Sequence, residues 1–445
     1  MSLKKRYDYI VVGTGPGGGT VARELSRKNT SILILEYGSR LNQTGFIKAA
    51  SKIFLDKTKK ALRSDGDIWF GRARVLGGGS FAAMGNAVEP PKRILDEWGL
   101  DLSRELDSAQ KDLRVTLMPE ALMGEGTKRI NKGAASLGWE MKPTPKCVDF
   151  SKCKACGLCM FGCPADAKWT SVEFVDEAIH NGADILFKTE VTHALHKNGR
   201  VTGISAVRGG ETLMIEGRNV ILSAGALGTP VILQNSGISE AGKGLAGDVF
   251  QTTYGFTDDV GMKGEIVLGS YLERMIEERE LFTAPYMYIP FFVKRDMDGR
   301  YPRKIGKLQQ AQMMLQASRI DTRHLIGMMT KIRDEQTGEV HRNGGISKKL
   351  TEKDKAKLSE AHKIKKEILL AAGARRDSIF TGVFESAHPC CTARIGKVVS
   401  ENQETKIKNL FVSDASVFPS PLGMPPILTI VALSKRLAAH LSGGG

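Results

Sequence analysis

The sequence contains no apolar run near the roughly 20 residues that span a bilayer, which argues against any integral membrane segment. An export signal is also missing. Lys4, Lys5 and Arg6 supply early positive charge, but the apolar stretch after them, Ile10 to Val12, is too short for a secretory h-region and runs into glycines. The chain therefore reads as cytoplasmic. Basic patches interleaved with aromatics are absent, so nucleic acid is not an expected partner. No internal repeat or low-complexity tract stands out beyond Gly443–Gly445. Negative charge is in short supply: 49 acids face 64 Lys and Arg, a net charge of +15. Such an excess is a general solubility device in some proteins. In others it steers an acidic partner to the surface.

What is present is a 445-residue chain, 41% hydrophobic, too long for one ordinary core and well suited to two domains. Residues 8–12, DYIVV, read as a short strand. TVARELSR reads as a helix with Val21 and Leu25 on one face, and SILILE at 31–36 as a second buried strand. This βαβ opening implies a parallel sheet. Residues 104–138 look helical. ILFKTEV at 185–191, RVTGISAV at 200–207 and NVILSAG at 219–225 look like strands. From about 241 the character changes, with helical patterns at SYLERMIEERELF and at TEKDKAKLSEAHKIKKEILLAAG. The latter opens with Thr351 as N-cap, lines Leu358, Ala361, Ile364 and Ile368 on one face, and closes at Gly373.

Gly13, Gly15 and Gly18 form G-x-G-x-x-G between the first strand and the first helix. The first glycine permits the turn, the second lets backbone approach a pyrophosphate, and the third lets helix and strand pack closely. The helix N-terminus offers free N–H groups and a positive dipole end to phosphate. Glu36 ends the second strand, where a carboxylate accepts ribose hydroxyls. Together these indicate a dinucleotide site and leave FAD and NAD unseparated.

Four further segments occur in a recognisable order: RVLGGGSFAAMGNAV at 74–88, VILSAGALGTPVILQNSGI at 220–238, HPCCTARIG at 388–396 and LFVSDASVFPSPLGMPPILTIVAL at 410–433. Each resembles a signature segment of the glucose–methanol–choline (GMC) oxidoreductases, and the likeness covers nearly all of the chain except 241–384. The resemblance implies FAD and a doubly wound α/β fold. An FAD-binding domain would be built from 1–240 and 385–445, with a substrate domain over 241–384 between them. It also implies contacts. Gly78, Gly79 and Ser80 would approach the pyrophosphate and ribityl chain, and Asn86 the isoalloxazine. Val191 would hold adenine through its backbone, and Asp414 the ribityl–pyrophosphate region. Ile427 and Leu428 would offer backbone N–H groups to the flavin pyrimidine edge, or serve in core packing.

Hydride abstraction from a carbon bearing a hydroxyl needs a base, and a neutral imidazole suits that task. His388 matches the family's catalytic histidine and is the one histidine of eight inside a family motif. Two positions depart from the family pattern. Cys391 stands where the family has Gly, and Pro425 where it has Asn or His. Pro425 cannot donate a hydrogen bond. Either His388 acts alone, or a group from 241–384 takes that part, or the reaction is not alcohol oxidation.

Five of seven cysteines fall between Cys147 and Cys163, which in a chain without an export signal points to metal or redox chemistry rather than disulfides. Cys153, Cys156, Cys159 and Cys163 have the C-x2-C-x2-C-x3-C spacing of ferredoxin cluster ligation, followed by Pro164. Some GMC dehydrogenase subunits carry a similar iron–sulfur segment. The expected cofactor is a 4Fe-4S or 3Fe-4S cluster; tetrahedral zinc and unliganded thiols are the alternatives. The whole reads as an FAD-dependent dehydrogenase of a small-molecule alcohol or polyol, passing electrons through the cluster to an acidic carrier such as ferredoxin. The alternative is an electron-transfer flavoprotein subunit whose partner holds the substrate site.

Overall fold

The computed structural model describes residues 4–41, 62–287, 290–299, 315 and 321–443. Two sheets organise it. In chain order their strands are β1 (Arg6–Val12), β2 (Ile32–Leu35), β3 (Trp69–Phe70), β4 (Asp184–Leu186), β5 (Thr189–Lys197), β6 (Arg200–Arg208), β7 (Glu211–Leu222), β8 (Val249–Phe256), β9 (Leu281–Pro285), β10 (Leu325–Ile332), β11 (Phe380–Thr381), β12 (Glu385–Ser386) and β13 (Leu410–Val412). Four helices matter for the site: α1 (Pro16–Ser26), α2 (Val172–His180), α3 (Glu352–Ala371) and α4 (Ile427–Leu441). Among the described residues, no helix is long and apolar enough to cross a membrane.

The first sheet runs β4-β2-β1-β7, with β13 and the β7-β6-β5 meander both joined to β7. Strands β4, β2, β1, β7 and β13 pair in parallel. The reason lies in their composition. Ile32–Leu35 is buried at every position, as are Ile10, Val11 and Val12. A strand apolar on both faces needs cover on both, which crossover helices supply. Helix α1 packs against α2 and α4. Strand β7 divides its length: Glu211–Glu216 pairs antiparallel with β6, and Val220–Leu222 lies between β1 and β13.

The second sheet has the order β9-β10-β8-β12-β3, with β11 also on β8. It draws Trp69–Phe70 from the first third of the chain and pairs them in parallel with Glu385–Ser386. Helix α3 covers this sheet with Leu358, Ala361, Ile364 and Ile368 buried, as their spacing predicts. Its N-terminus is a capping box. The Thr351 hydroxyl accepts from Asp354 N at 3.2 Å, and Asp354 Oδ2 accepts from Thr351 N at 3.1 Å.

Three local expectations change. The helical pattern at 104–138 is two helices, Ser103–Asp112 and Glu125–Ser136. Between them Arg114 takes φ 52° and Thr116–Leu117 pairs with Pro145–Lys146. Pro119 could not have continued a helix there. ILFKTEV splits into the ends of β4 and β5 because Lys188 turns at φ 53°. SYLERMIEERELF is helical only over Glu273–Arg279, and Leu281 already belongs to β9.

The capping box supports a stability prediction. Thr351→Ala removes the N-cap acceptor and should cost about 1 kcal/mol, lowering the melting midpoint by roughly 2 °C. A calorimetric scan of the purified protein checks this; an unchanged midpoint means the cap is not an independent contributor.

Candidate active site

The glycine motif sits where three chain segments converge at the carboxyl ends of β1, β7 and β13. Gly13 has φ +100°, and a Cβ there would lie 2.3 Å from Ser223 O. At Gly18 a Cβ would lie 2.1 Å from Gly13 O, and at Gly17 1.8 Å from Ser413 O. Gly15 differs: a Cβ there meets no protein atom within 4 Å, and the same holds at Gly79. The two open glycines belong to neighbouring segments, because a Cβ at Gly78 would sit 2.9 Å from Gly15 Cα. The cradle thus has room for a ligand just where α1 presents its N-terminus. This is the fit that a dinucleotide pyrophosphate requires.

Glu36 ends β2, almost fully buried. Its Oε1 accepts from Gly38 N at 2.6 Å, and its Oε2 accepts from Thr14 N at 3.2 Å and from the Thr14 hydroxyl. Burial pushes its carboxyl above the ordinary range, against those bonds. A carboxylate has about four acceptor positions, so capacity remains for a ribose hydroxyl. Sequence reasoning overlooked Arg72. Its Nη2 lies 2.4 Å from where a Gly228 Cβ would be, in the field of Glu36 and Glu190. Its signal was only its place two residues before Arg74, within GRAR.

The remaining expected contacts are placed as follows. The Ser80 hydroxyl donates to Gly77 O at 2.6 Å and accepts from Ser171 N at 2.9 Å, so it shapes the loop. Asn86 is buried, its Oδ1 accepting from Lys146. Val191 lies in β5, buried, opposite Ala206. Asp414 accepts from Gly225 N at 2.9 Å, Thr229 Oγ1 at 2.6 Å and Ser416 N at 2.8 Å, which pins the Ser223–Thr229 turn to the end of β13. Ile427 and Leu428 open α4, so their N–H groups belong to the first turn, where a helix offers no partner.

His388 follows β12 by two residues. Its Nδ1 is 3.2 Å from Asp248 Oδ2, and Asp248 Oδ1 accepts from Gly423 N at 2.8 Å. Asp248 immediately precedes β8 at φ 46°. No motif flagged it, because its role exists only through a contact 140 residues away. Burial and the neighbouring Asp334 push the Asp248 carboxyl well up, while Gly423 N–H and Lys331 pull it down. Asp334 is itself tied to Lys348 at 2.7 Å, both fully buried. Burial, then Lys331, holds the His388 imidazole well below its ordinary range, so the ring is neutral near pH 7. The Met424 backbone, hydrogen-bonded to the ring, works against that shift; in the tautomer whose Nδ1–H points to Asp248, Nε2 keeps its lone pair and can take a proton. Cys391 has φ +68°, which explains a glycine at this position in the GMC pattern. The adjacent Cys390 and Cys391 sulfurs are 3.4 Å apart.

The cysteine-rich segment folds through left-handed turns at Ala155, Gly157 and Gly162. Cys147 and Cys163 are buried, with Cys153, Cys156 and Cys159 partly so. Among the described residues, no three Cys, His, Asp or Glu side chains form a group able to hold a metal ion. The four expected ligands are therefore not assembled as a ligand set, although Cys153 lies in the field of Cys156 and Cys163. Two buried lysines flank them. Lys168 Nζ lies 2.7–3.1 Å from the carbonyls of Ser80, Phe81, Ala83 and Cys159, and Lys146 Nζ bonds Asn86 and the carbonyls of Met84 and Val267. Burial pushes Lys146 down to about 8 and Cys147 up to about 11.

A glycine-cradled parallel sheet, with a second, mostly antiparallel sheet whose strand β12 leads into the His388 loop, is the arrangement of a nucleotide-dependent oxidoreductase. The chain belongs to the GMC oxidoreductase family, whose N-terminal part matches residues 7–254 and whose C-terminal part matches residues 309–434. An uncharacterized GMC-type oxidoreductase of Mycobacterium tuberculosis is 26% identical over 97% of this chain and 75% of its own length. The long-chain-alcohol oxidase FAO3 of Arabidopsis thaliana is 25% identical over 100% of this chain and 69% of its own length. The fold is that of pyridoxine 4-oxidase from Mesorbium loti, with TM-score 0.74 and 14% identity over 98% of this chain and 99% of that one. Formate oxidase gives TM-score 0.76 and 15% identity over 100% and 99%.

The glycines separate folding from binding. Gly15→Ala adds a methyl that meets no protein atom, so melting of the ligand-free protein should stay within about 1 °C while cofactor retention on gel filtration falls at least tenfold. Equal retention by Gly15→Ala would mean the cofactor lies elsewhere.

Proposed function

We propose that this chain is an FAD-dependent dehydrogenase that oxidises the CH–OH group of a small alcohol, with His388 as the base. The observation that carries this reading is the His388–Asp248 pair at 3.2 Å on the rim of the second sheet. Asp248, fixed by Gly423 N–H, holds the ring so that Nε2 faces away from it and accepts the hydroxyl proton. FAD, when bound in the cradle, supplies the two-electron acceptor for the hydride. Gly15 and Gly79 leave room for its pyrophosphate, Gly13, Gly18 and Gly78 let the surrounding backbone close up to form that room, Glu36 would take a ribose hydroxyl, and the Ile427 and Leu428 N–H groups would face the flavin ring. Sequence relatives named long-chain-alcohol oxidases support a hydroxyl-bearing substrate.

The same reading extends to Cys153, Cys156, Cys159 and Cys163 as ligands of an iron–sulfur cluster serving an acidic one-electron carrier. It is supported by their spacing and by Lys146 and Lys168, two buried lysines whose electrostatic neighbours include Cys153, Cys159 and Cys163 as well as Cys147. The net charge of +15 favours an acidic carrier.

Two measurements bear on this. In stopped-flow mixing with primary alcohols, His388→Ala should keep its FAD yet reduce it ~10²–10⁴-fold more slowly, and Asp248→Asn should fall in the same direction. Unchanged kinetics in His388→Ala removes it as the base. Iron and sulfide analysis of anaerobically purified protein should find both, with iron lowered in Cys159→Ser; zinc, or no metal, contradicts the cluster.

A further inference from the structure

Five lysines of the described residues are buried to 4% exposure or less: Lys146, Lys168, Lys331, Lys348 and Lys365. Four have oxygen acceptors. Lys146 and Lys168 use the carbonyls given above, Lys348 uses Asp334 at 2.7 Å, and Lys365 uses Gln251 O at 2.6 Å. Lys331 makes no hydrogen bond or ion pair among the described residues. Its Nζ stands 4.2 Å from the centroid of the Phe250 ring. An ammonium this enclosed is left to water or a ligand for its acceptor, since a ring face alone substitutes only partly.

The register shows where this cation sits. Phe250 on β8 is opposite Lys331 on β10 on one side and Glu385 on β12 on the other. Glu385 is already held by Arg295 at 3.0 and 2.8 Å. Asp248 lies two residues before Phe250, and His388 three after Glu385. The charged and titratable groups in the field of Lys331 are accordingly Asp248, Glu385 and His388. Lys331 and Glu385 thus flank Phe250 on the second sheet, and the His388 loop that follows Glu385 is within the electrostatic reach of Lys331: a base that takes a proton stands near a donor that needs an oxygen. Pro425, at the family's second polar position, supplies no donor.

We infer that Lys331 is a catalytic residue whose ammonium holds the reacting oxygen of the substrate opposite His388. This rests on the reading of the chain as an alcohol dehydrogenase. In the step, the O–H bond breaks with its proton going to His388 Nε2. The C–H bond breaks with its electron pair going as hydride to FAD, and the C=O bond forms. Negative charge develops on the oxygen beside Lys331, which donates to it throughout. An ammonium in this place favours substrates whose oxygen becomes anionic and binds small carboxylates as mimics of that state.

The test uses acetate, as a small oxyanion, and acetamide, its neutral isostere, titrated calorimetrically into the purified FAD-loaded protein. The wild type should bind acetate at least tenfold more tightly than acetamide. Lys331→Met should lose that preference and Lys331→Arg retain it. A wild type without preference, or a Met variant that keeps it, overturns the proposal. If Lys331→Met fails to fold, the wild-type comparison still decides. Because no turnover is read, failure here is distinguishable from failure of the alcohol-oxidation reading, which shows instead as a flavin that no alcohol reduces.

Discussion

The structure depends on one close approach of backbone to backbone. Gly13 meets the chain at Ser223 and Gly17 at Ser413, while Gly18 closes on Gly13, each at a separation where a Cβ would overlap a carbonyl oxygen by about an ångström or more. That contact brings the ends of β1, β7 and β13 to a single point. It aims α1 at the cleft, and it lets Asp414 reach across to Gly225 and Thr229. The second glycine-rich segment then crosses Gly15, leaving Gly15 and Gly79 facing open space. The cradle is the gap left when three strand ends pack as tightly as glycine allows.

The second sheet is governed by buried charge. Asp334 accepts from Gly247 N and Val249 N on either side of Asp248 while paired with Lys348. Removing one partner of such a pair typically costs about 3–5 kcal/mol, so the turn carrying Asp248 is firmly set. Asp248 then fixes Gly423 and His388, which ties the start of β8 to two loops that approach from the far end of the chain. The imidazole is held by groups that are themselves held, and its depressed basicity follows from the same enclosure.

The first sheet and its cradle were legible because they are local. A buried ILIL strand, a G-x-G-x-x-G and a carboxylate at the strand end all lie within 31 residues, Arg6 to Glu36. Helix α3 was legible too, since a capping Thr and an apolar stripe are properties of one segment. The helical reading of 104–138 holds over Ser103–Asp112 and Glu125–Ser136 and breaks between them, where tertiary pairing at Thr116–Leu117 outweighs propensity. Asp248 and Lys331 were hidden for a different reason. Neither residue type nor spacing marks them: Asp248 gains meaning through its contact with His388, and Lys331 through cross-strand register. The cysteine spacing was the opposite case: a strong local signal whose thiols are not gathered into a ligand set among the described residues.

In the proposed function one chain holds both the flavin and the base that prepares its substrate. The most direct measurement is anaerobic mixing of the isolated FAD-loaded chain with a series of primary alcohols while the flavin absorbance is followed. Full bleaching by at least one alcohol, with the matching aldehyde formed in equal amount, is the predicted result. A flavin that stays oxidised with every alcohol, and is reduced only when a second protein is added, would contradict it.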